Sequence, residues 1–240
     1  MTAELPIADR LARIEERIAA ACRRVGRERA EVTLIGASKV HPAAAVAEAW
    51  RAGLEIFGEN RVQEAEAKAP QLPTGIDWHL IGPLQSNKVR RAVALFSTIH
   101  AVDRVKIARA IDRIAAESGV ERRALLEVNL AAEESKHGLL PEQLPAAIDE
   151  LAELTQLEIV GLMAIPPAGP NPEAARPWFE RLRLLGEQVA ARGAPPSWRG
   201  WLSMGMSGDY EVAIEEGATH IRIGSSLFGP RPTAARRDPA

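Results

Sequence analysis

Eight short apolar segments of β-strand type alternate along this chain with segments whose apolar residues recur at helical spacing. A helix after each strand carries the chain back to the starting edge of the sheet, so consecutive strands pair in parallel. Eight such units in 240 residues fit a single (β/α)8 barrel of the TIM type, with an open, doubly wound sheet as the alternative. The predicted strands cover residues 32–39, 54–57, 77–81, 98–102, 124–130, 158–163, 201–204 and 219–223.

The predicted α/β barrel has additions at both ends. Apolar residues at three- and four-residue spacing between Leu11 and Val25 predict an extra N-terminal helix before the first strand. Asp103 follows the fourth strand and is a predicted N-cap for the next helix. Because no linker rich in Pro, Gly or Ser divides the sequence, residues 1–230 are predicted to form one barrel domain. The Pro- and Arg-rich segment 231–240 is predicted to be a loose tail.

Composition argues against several classes of protein. The formal net charge of −2 gives no electrostatic attraction to nucleic acid or to a membrane surface. Cys22 is the single cysteine and the five histidines are scattered, so neither a disulfide framework nor a metal site is predicted. No apolar run approaches the roughly 20 residues of a membrane span, and the first ten residues lack the apolar region of a signal peptide. A cytoplasmic location is therefore expected.

Lys39 ends the first predicted strand, after a run of apolar and small residues. The active site of such a barrel lies at the C-terminal ends of its strands. An amine withdrawn from water there is a nucleophile that condenses with an aldehyde. An ordinary lysine that extends its ammonium group into solvent is the alternative, and Lys39 by itself leaves both open.

Arg222 lies in the last predicted strand. Side chains alternate along a strand, so Arg222 and His220 are predicted to face the barrel interior while Ile221 and Ile223 face the helices. Closure of the barrel brings this strand beside the first one. Lys39 and Arg222 are then expected to point into the same space.

The loops after the seventh and eighth strands carry small and hydroxyl residues, namely Ser207, Gly224 and Ser225. These two loops form the usual phosphate site of a (β/α)8 barrel. Backbone amides at a helix start, together with serine hydroxyls, suit a phosphate group. A nucleophilic lysine near a phosphate site and an arginine indicates a phosphorylated aldehyde as the ligand.

Seven stretches, in order along nearly the whole chain, resemble those of the pyridoxal phosphate homeostasis proteins, relatives of the N-terminal barrel of alanine racemase. They are GASK at 36–39, FGENRVQE at 57–64, HLIGPLQSNK at 79–88, SKHG at 135–138, GLMAIP at 161–166, LSMGMS at 202–207 and IRIGSSLFG at 221–229.

The resemblance implies a role for each predicted site residue. Lys39 forms a Schiff base with pyridoxal 5′-phosphate (PLP), and Arg222 faces the pyridine nitrogen of that cofactor. Asn60 lies close to the cofactor. The cofactor's phosphate is held by Ser207, Gly224 and Ser225.

The resemblance also implies a carrier, that is, a protein of intracellular PLP homeostasis that holds the cofactor without catalytic turnover. The partners it implies are apo PLP-dependent enzymes, which would receive the cofactor. Arg222 would leave the pyridine nitrogen unprotonated, whereas most PLP enzymes protonate it with a carboxylate. Racemisation needs a second acid or base on the opposite face of the substrate, and Tyr210, the single tyrosine, lies in the phosphate-side helix. A PLP-dependent amino-acid racemase and a cofactor-free Schiff-base aldolase on a sugar phosphate are the alternatives. A monomer is expected, because the second domain of the racemase is not found.

Overall fold

The computed structural model describes residues 5–133 and 136–230, and the predicted tail at 231–240 lies outside this part of the chain. Each strand pairs in parallel with its neighbours in sequence, and the last strand pairs with the first, so the sheet closes. The predicted eight-stranded barrel is confirmed, and the open sheet is excluded. The strands are β1 (Thr33–Ala37), β2 (Ile56–Glu59), β3 (Asp77–Leu80), β4 (Thr98–Val102), β5 (Arg122–Glu127), β6 (Leu157–Met163), β7 (Trp201–Met206) and β8 (His220–Ile223).

Helices surround the barrel, and the predicted N-terminal helix is one of them. That helix buries Leu11, Ile14 and Ile18 and packs against the helices that follow β7 and β8. No helix in the described part of the chain is long and apolar enough to cross a lipid bilayer. The helices are α1 (Ile7–Arg24), α2 (Ala43–Arg51), α3 (Val62–Lys68), α4 (Val89–Leu95), α5 (Val105–Ser118), α6 (Leu144–Leu151), α7 (Arg176–Gly193), α8 (Tyr210–Glu215) and α9 (Ser225–Phe228).

The protein has two buried regions of different chemistry, one between the strands and the surrounding helices and one inside the barrel. Between strands and helices lies a continuous apolar layer, to which Ile221 and Ile223 belong, as predicted. Inside the barrel a small apolar group, Ala101, Leu125, Val160 and Met163, is accompanied by buried polar side chains. Those polar side chains include His79, His100, Ser203, His220 and Arg222.

The prediction that Asp103 caps helix α5 is wrong. The helix begins at Val105, and its N-cap is Arg104, whose side chain makes no capping bond. Asp103 therefore lies one residue too early to reach the first free amides of the helix. Its carboxylate instead accepts a hydrogen bond from Arg104 Nε at 2.9 Å and lies 3.4 Å from His137 Nδ1.

Candidate functional site

A cavity of about 240 Å³ lies at the C-terminal end of the barrel. Its walls come from residues that end or follow strands β1, β2, β3, β6, β7 and β8. All six predicted site residues line it: Lys39, Asn60, Ser207, Arg222, Gly224 and Ser225. Four separate strand ends, remote in sequence, thus contribute to one enclosed space.

Lys39 reaches the cavity because the chain turns sharply after β1. The strand ends at Ala37, two residues earlier than predicted, and the Ser38 amide donates to the carbonyl oxygen of Gly58 at 3.0 Å. Val40 then takes a left-handed conformation with φ of 62°, which is uncommon for a β-branched residue. This turn brings the half-buried side chain of Lys39 onto the cavity wall.

A buried ion pair supports this turn. Lys68 Nζ donates to the carbonyl oxygen of Ser38 at 2.8 Å and to Glu59 Oε1. The Ser38 hydroxyl donates to the same carboxylate oxygen at 2.7 Å. Burial raises the pKa of Glu59, although the hydrogen bonds from Lys68 and Ser38 oppose that rise.

Sequence reasoning missed Lys68, since a polar helix was expected there. One signal was available: Val62, Ala65 and Lys68 recur at three-residue spacing and form the buried stripe of α3. A lysine in register with an apolar stripe points into the protein, where it needs a partner.

Arg222 lies deep in the barrel, with 4% of its surface exposed. Its Nη1 group donates to the Ser203 hydroxyl and its Nη2 group to the carbonyl oxygen of Ala164, at 3.1 Å. Burial lowers its pKa to about 10, opposed by Glu127 and Asp209, so the guanidinium keeps its charge at neutral pH. Arg222 is paired with Ile35 on β1, the strand that leads to Lys39.

The loops after β7 and β8 meet at Ser207. Its hydroxyl oxygen accepts from the backbone amides of Gly224 at 3.2 Å and Ser226 at 3.3 Å. A Cβ atom on Gly224 would lie 3.3 Å from the carbonyl oxygen of Ala37, so glycine lets this loop approach the end of β1 closely. Two backbone amides therefore fix the Ser207 oxygen at the cavity wall, which leaves the proton of its hydroxyl to donate to an anion.

Tyr210 is not among the residues that line the cavity. Its ring is buried between α8 and α1, with the guanidinium of Arg17 lying 5.4 Å from the ring centroid. His79 and His100 do not line the cavity either. They are hydrogen-bonded to each other inside the barrel.

Comparisons with known proteins agree with this architecture. The family described as "Alanine racemase, N-terminal domain" matches residues 10–232. The pyridoxal phosphate homeostasis protein of Aquifex aeolicus is 43% identical over 226 residues, which cover 93% of this chain and 97% of that protein.

Solved structures show the same likeness. PipY of Synechococcus elongatus, with PLP bound, has a TM-score of 0.82 and 42% identity, over 93% of this chain and 100% of that one. An alanine racemase of Clostridium difficile has a TM-score of 0.67 at 15% identity, over 91% of this chain and 60% of the racemase. The likeness to the racemase concerns the fold alone.

Proposed function

This chain belongs to the pyridoxal phosphate homeostasis protein family, and from that premise we propose that it holds PLP on Lys39 as a reversible carrier. It keeps the reactive aldehyde bound and releases the cofactor to apo-enzymes that need it, without turnover of its own. The observation that carries this proposal is that Lys39, Arg222 and the loops joined at Ser207 line one cavity.

The cavity offers a matching group for each polar end of the cofactor. The amine of Lys39 matches the aldehyde. The Ser207 hydroxyl, whose oxygen is held by the Gly224 amide, and the Ser225 hydroxyl match the phosphate, and the guanidinium of Arg222 matches the pyridine nitrogen. A volume of about 240 Å³ is smaller than that of most drug-binding pockets and suits a ligand with a single ring.

Lys39 would hold PLP through its amine, and the cofactor would supply an aldehyde, a group that condenses with an amine to a C=N bond with loss of water. The reaction is reversible, so the same residue captures and releases the ligand. Asn60 borders the cavity on the β2 side, where it would lie beside the ring of the cofactor. The hydroxyl of Ser207, fixed by the amides of Gly224 and Ser226, would hold the phosphate.

The charge of Arg222 argues against transaminase or decarboxylase chemistry, which needs a stabilised carbanion. A guanidinium donates hydrogen bonds and does not give up its proton, so it leaves the ring nitrogen unprotonated. The ring is then a weak electron sink, unlike that of PLP enzymes whose carboxylate partner protonates the nitrogen.

Lys39 and His41 are the two proton-exchanging side chains described on the cavity wall, and they lie two residues apart in one turn. Among the described residues that line the cavity there is no carboxylate and no tyrosine. His41 follows Lys39 in the same turn and stacks on Phe228, with ring centroids 5.2 Å apart. Racemisation needs groups on both faces of the substrate carbon, and these residues supply one side.

Borohydride reduction tests the proposal. Protein incubated with PLP should be yellow, should lose its absorption band on reduction, and should carry the reduced adduct on the peptide that contains Lys39. Lys39→Ala should yield no adduct, and Lys106→Ala, at an exposed position of α5, should behave like the wild type.

Either of two results would overturn the proposal. One is an adduct that persists in Lys39→Ala, which would place the binding amine elsewhere. The other is multiple turnover of an L-amino acid to its D-enantiomer by the loaded protein, which would establish the racemase instead.

A further inference from the structure

A line of hydrogen-bonded side chains crosses the barrel interior from Asp77, at the start of β3, to Arg222. His79 Nε2 lies 3.3 Å from Asp77 Oδ2, and His79 Nδ1 lies 2.9 Å from His100 Nε2. His100 Nδ1 lies 2.9 Å from the Ser203 oxygen, to which Arg222 Nη1 also donates. These five side chains are called the interior relay below.

The protonation states of these side chains decide which atom donates and which accepts in each hydrogen bond of the interior relay. Burial alone would raise the pKa of Asp77, but His79, with the Ser97 hydroxyl and Arg123, lowers it below its ordinary value. An ionised carboxylate only accepts, so His79 donates through Nε2, and in the neutral form of this imidazole the Nδ1 atom is then an acceptor. His100 must then donate through Nε2.

The direction continues to Arg222. With its Nε2 group donating, neutral His100 has an acceptor at Nδ1, which takes the proton of the Ser203 hydroxyl. Burial, with the neighbouring His79, His220 and Arg222, holds the pKa of His100 well below its ordinary value and keeps it neutral. The oxygen of Ser203 keeps its lone pairs for Arg222.

The hydrogen bonds of Arg222 are made to neutral groups, while the carboxylates of Glu127 and Asp209 act on it through their charge without a hydrogen bond. The second contact of Arg222, from Nη2, is to the carbonyl oxygen of Ala164. Among the residues that the structure describes, none of the ion pairs within 4.0 Å involves this guanidinium. Hydrogen bonds in a chain polarise one another, so the relay conveys the negative charge of Asp77 to the oxygen on which Arg222 rests.

Filling a barrel with the polar side chains of the interior relay is energetically less favourable than filling it with apolar ones. Barrels of this kind are usually filled by branched apolar side chains, and a buried polar group stabilises the fold only if it is fully hydrogen-bonded. The interior relay ends on Arg222, and its presence is explained if it orients the guanidinium of that residue. Two acceptors, Ser203 for Nη1 and the Ala164 carbonyl oxygen for Nη2, fix the plane of the guanidinium.

We infer that His100, oriented by His79 and Asp77, is a positioning residue for Arg222 and thereby sets how Arg222 meets the pyridine nitrogen of the bound cofactor. The inference rests on the proposed function, because the pyridine nitrogen is the group that Arg222 faces there.

Nitrogen NMR of the unloaded protein tests the interior relay without the cofactor. His79 and His100 should both be neutral with the proton on Nε2, and the Arg222 Nη groups should give separate signals because the guanidinium rotates slowly. In His100→Phe that rotation should be at least threefold faster. A proton on His100 Nδ1, or an unchanged Arg222 rotation in His100→Phe, would overturn the inference.

The loaded protein gives a second measurement. With ¹⁵N-labelled PLP, Asp77→Asn and His100→Phe should shift the ring-nitrogen signal and weaken binding at least threefold. His220→Asn is the matched control: His220 is buried beside His100, with ring centroids 5.8 Å apart, but it is bonded to Thr219 rather than to the relay. A ring-nitrogen shift in the control as large as in the relay variants would show a packing effect and sink the idea.

The two claims fail separately. If reduction of the wild type places no PLP on Lys39, the proposed function fails, while the spectra of the unloaded protein still decide the inference. If the wild type carries PLP and the relay variants match it, the inference alone fails. If His100→Phe does not fold, the Asp77→Asn variant tests the inference instead. The Asp77 side chain, at the start of β3, is 35% exposed and tolerates substitution better.

Discussion

Lys68 and Glu59 form an ion pair inside the protein, with Nζ 2.5 Å from Oε1 and no part of the Glu59 side chain exposed. Ser38 is bonded to both partners, through its carbonyl oxygen and its hydroxyl. The pair therefore holds the residue that precedes Lys39. A charge pair out of reach of solvent thus sets the position of the amine on the cavity wall.

Removal of one partner should destabilise the fold strongly. Lys68→Met leaves the Glu59 carboxylate buried without its cation, and such changes lower the free energy of unfolding by about 3–5 kcal/mol. Urea denaturation measures the loss.

The exposed pair of Arg90 and Glu117, with an N–O distance of 2.6 Å, is the matched control. Arg90→Met should change the free energy of unfolding by less than about 1 kcal/mol, because solvent screens this pair. Equal losses in the two variants would contradict a special role for the buried pair.

Ser207→Ala should weaken PLP binding about tenfold, which corresponds to the roughly 1.5 kcal/mol of one hydrogen bond to a charged group. Pyridoxal, which lacks the phosphate, should bind the variant as it binds the wild type. Titration with both compounds separates the two effects. Ser118→Ala, whose hydroxyl bonds within α5, is the control and should leave both affinities unchanged. A similar loss for both ligands would argue against a phosphate contact.

Gly161→Ala should destabilise the barrel by about 1–3 kcal/mol or more, as other overpacked sites do. Gly161 is paired with Trp201 on β7, and a Cβ atom there would collide with the Trp201 backbone carbonyl. Thermal and urea unfolding provide the measurement. Gly208→Ala, where a Cβ atom would meet open space, should keep wild-type stability. If both variants are equally stable, β6 and β7 are less closely packed than described.

The stability of the protein should depend on pH through His220. Burial, with the neighbouring His79, Arg123 and Arg222, lowers the pKa of His220 to about 3, whereas an unfolded histidine titrates near 6.5. Below about pH 6.5 the His220 side chain binds a proton in the unfolded chain but stays neutral in the native state. This residue therefore lowers the free energy of unfolding, by up to about 1.4 kcal/mol per pH unit, as the pH falls from about 6.5 toward 3.

His220→Asn removes that dependence. Relative to the wild type, the variant should gain roughly 2 kcal/mol between pH 6.5 and pH 5, since about 1.5 pH units lie in that interval. Urea unfolding at several pH values provides the comparison, which should be constant between pH 7 and pH 8. A constant difference down to pH 5 would mean that His220 is protonated in the native protein.

The sequence was sufficient for features that follow from periodicity and closure. Alternation along β8 predicted that Arg222 faces inward, and closure of the barrel predicted its meeting with Lys39 in one cavity. Both inferences need the number of strands and the period of a strand, and neither needs the positions of individual atoms.

The hydrogen bonds inside the barrel could not be predicted from the sequence, because they depend on how far each strand is shifted against the next. The register between β7 and β8 slips between Ser203 and Met206, so that Ser203 is opposite His220 while Met206 is opposite Arg222. Such irregularities leave no mark in a pattern of apolar residues. The bond between His100 and Ser203, and the one between Glu59 and Lys68, appear once the offsets are fixed.

Pairing of β1 with β8 has a consequence for the newly made polypeptide. Lys39 is synthesised before Arg222 and the amide of Gly224, and the cavity forms when β8 docks on β1. Contacts so distant along the chain carry a large loop-closure cost. On the proposed function, a nascent or truncated chain would therefore present the Lys39 amine without its binding pocket, and retention of the aldehyde would report that translation and folding of the barrel are finished.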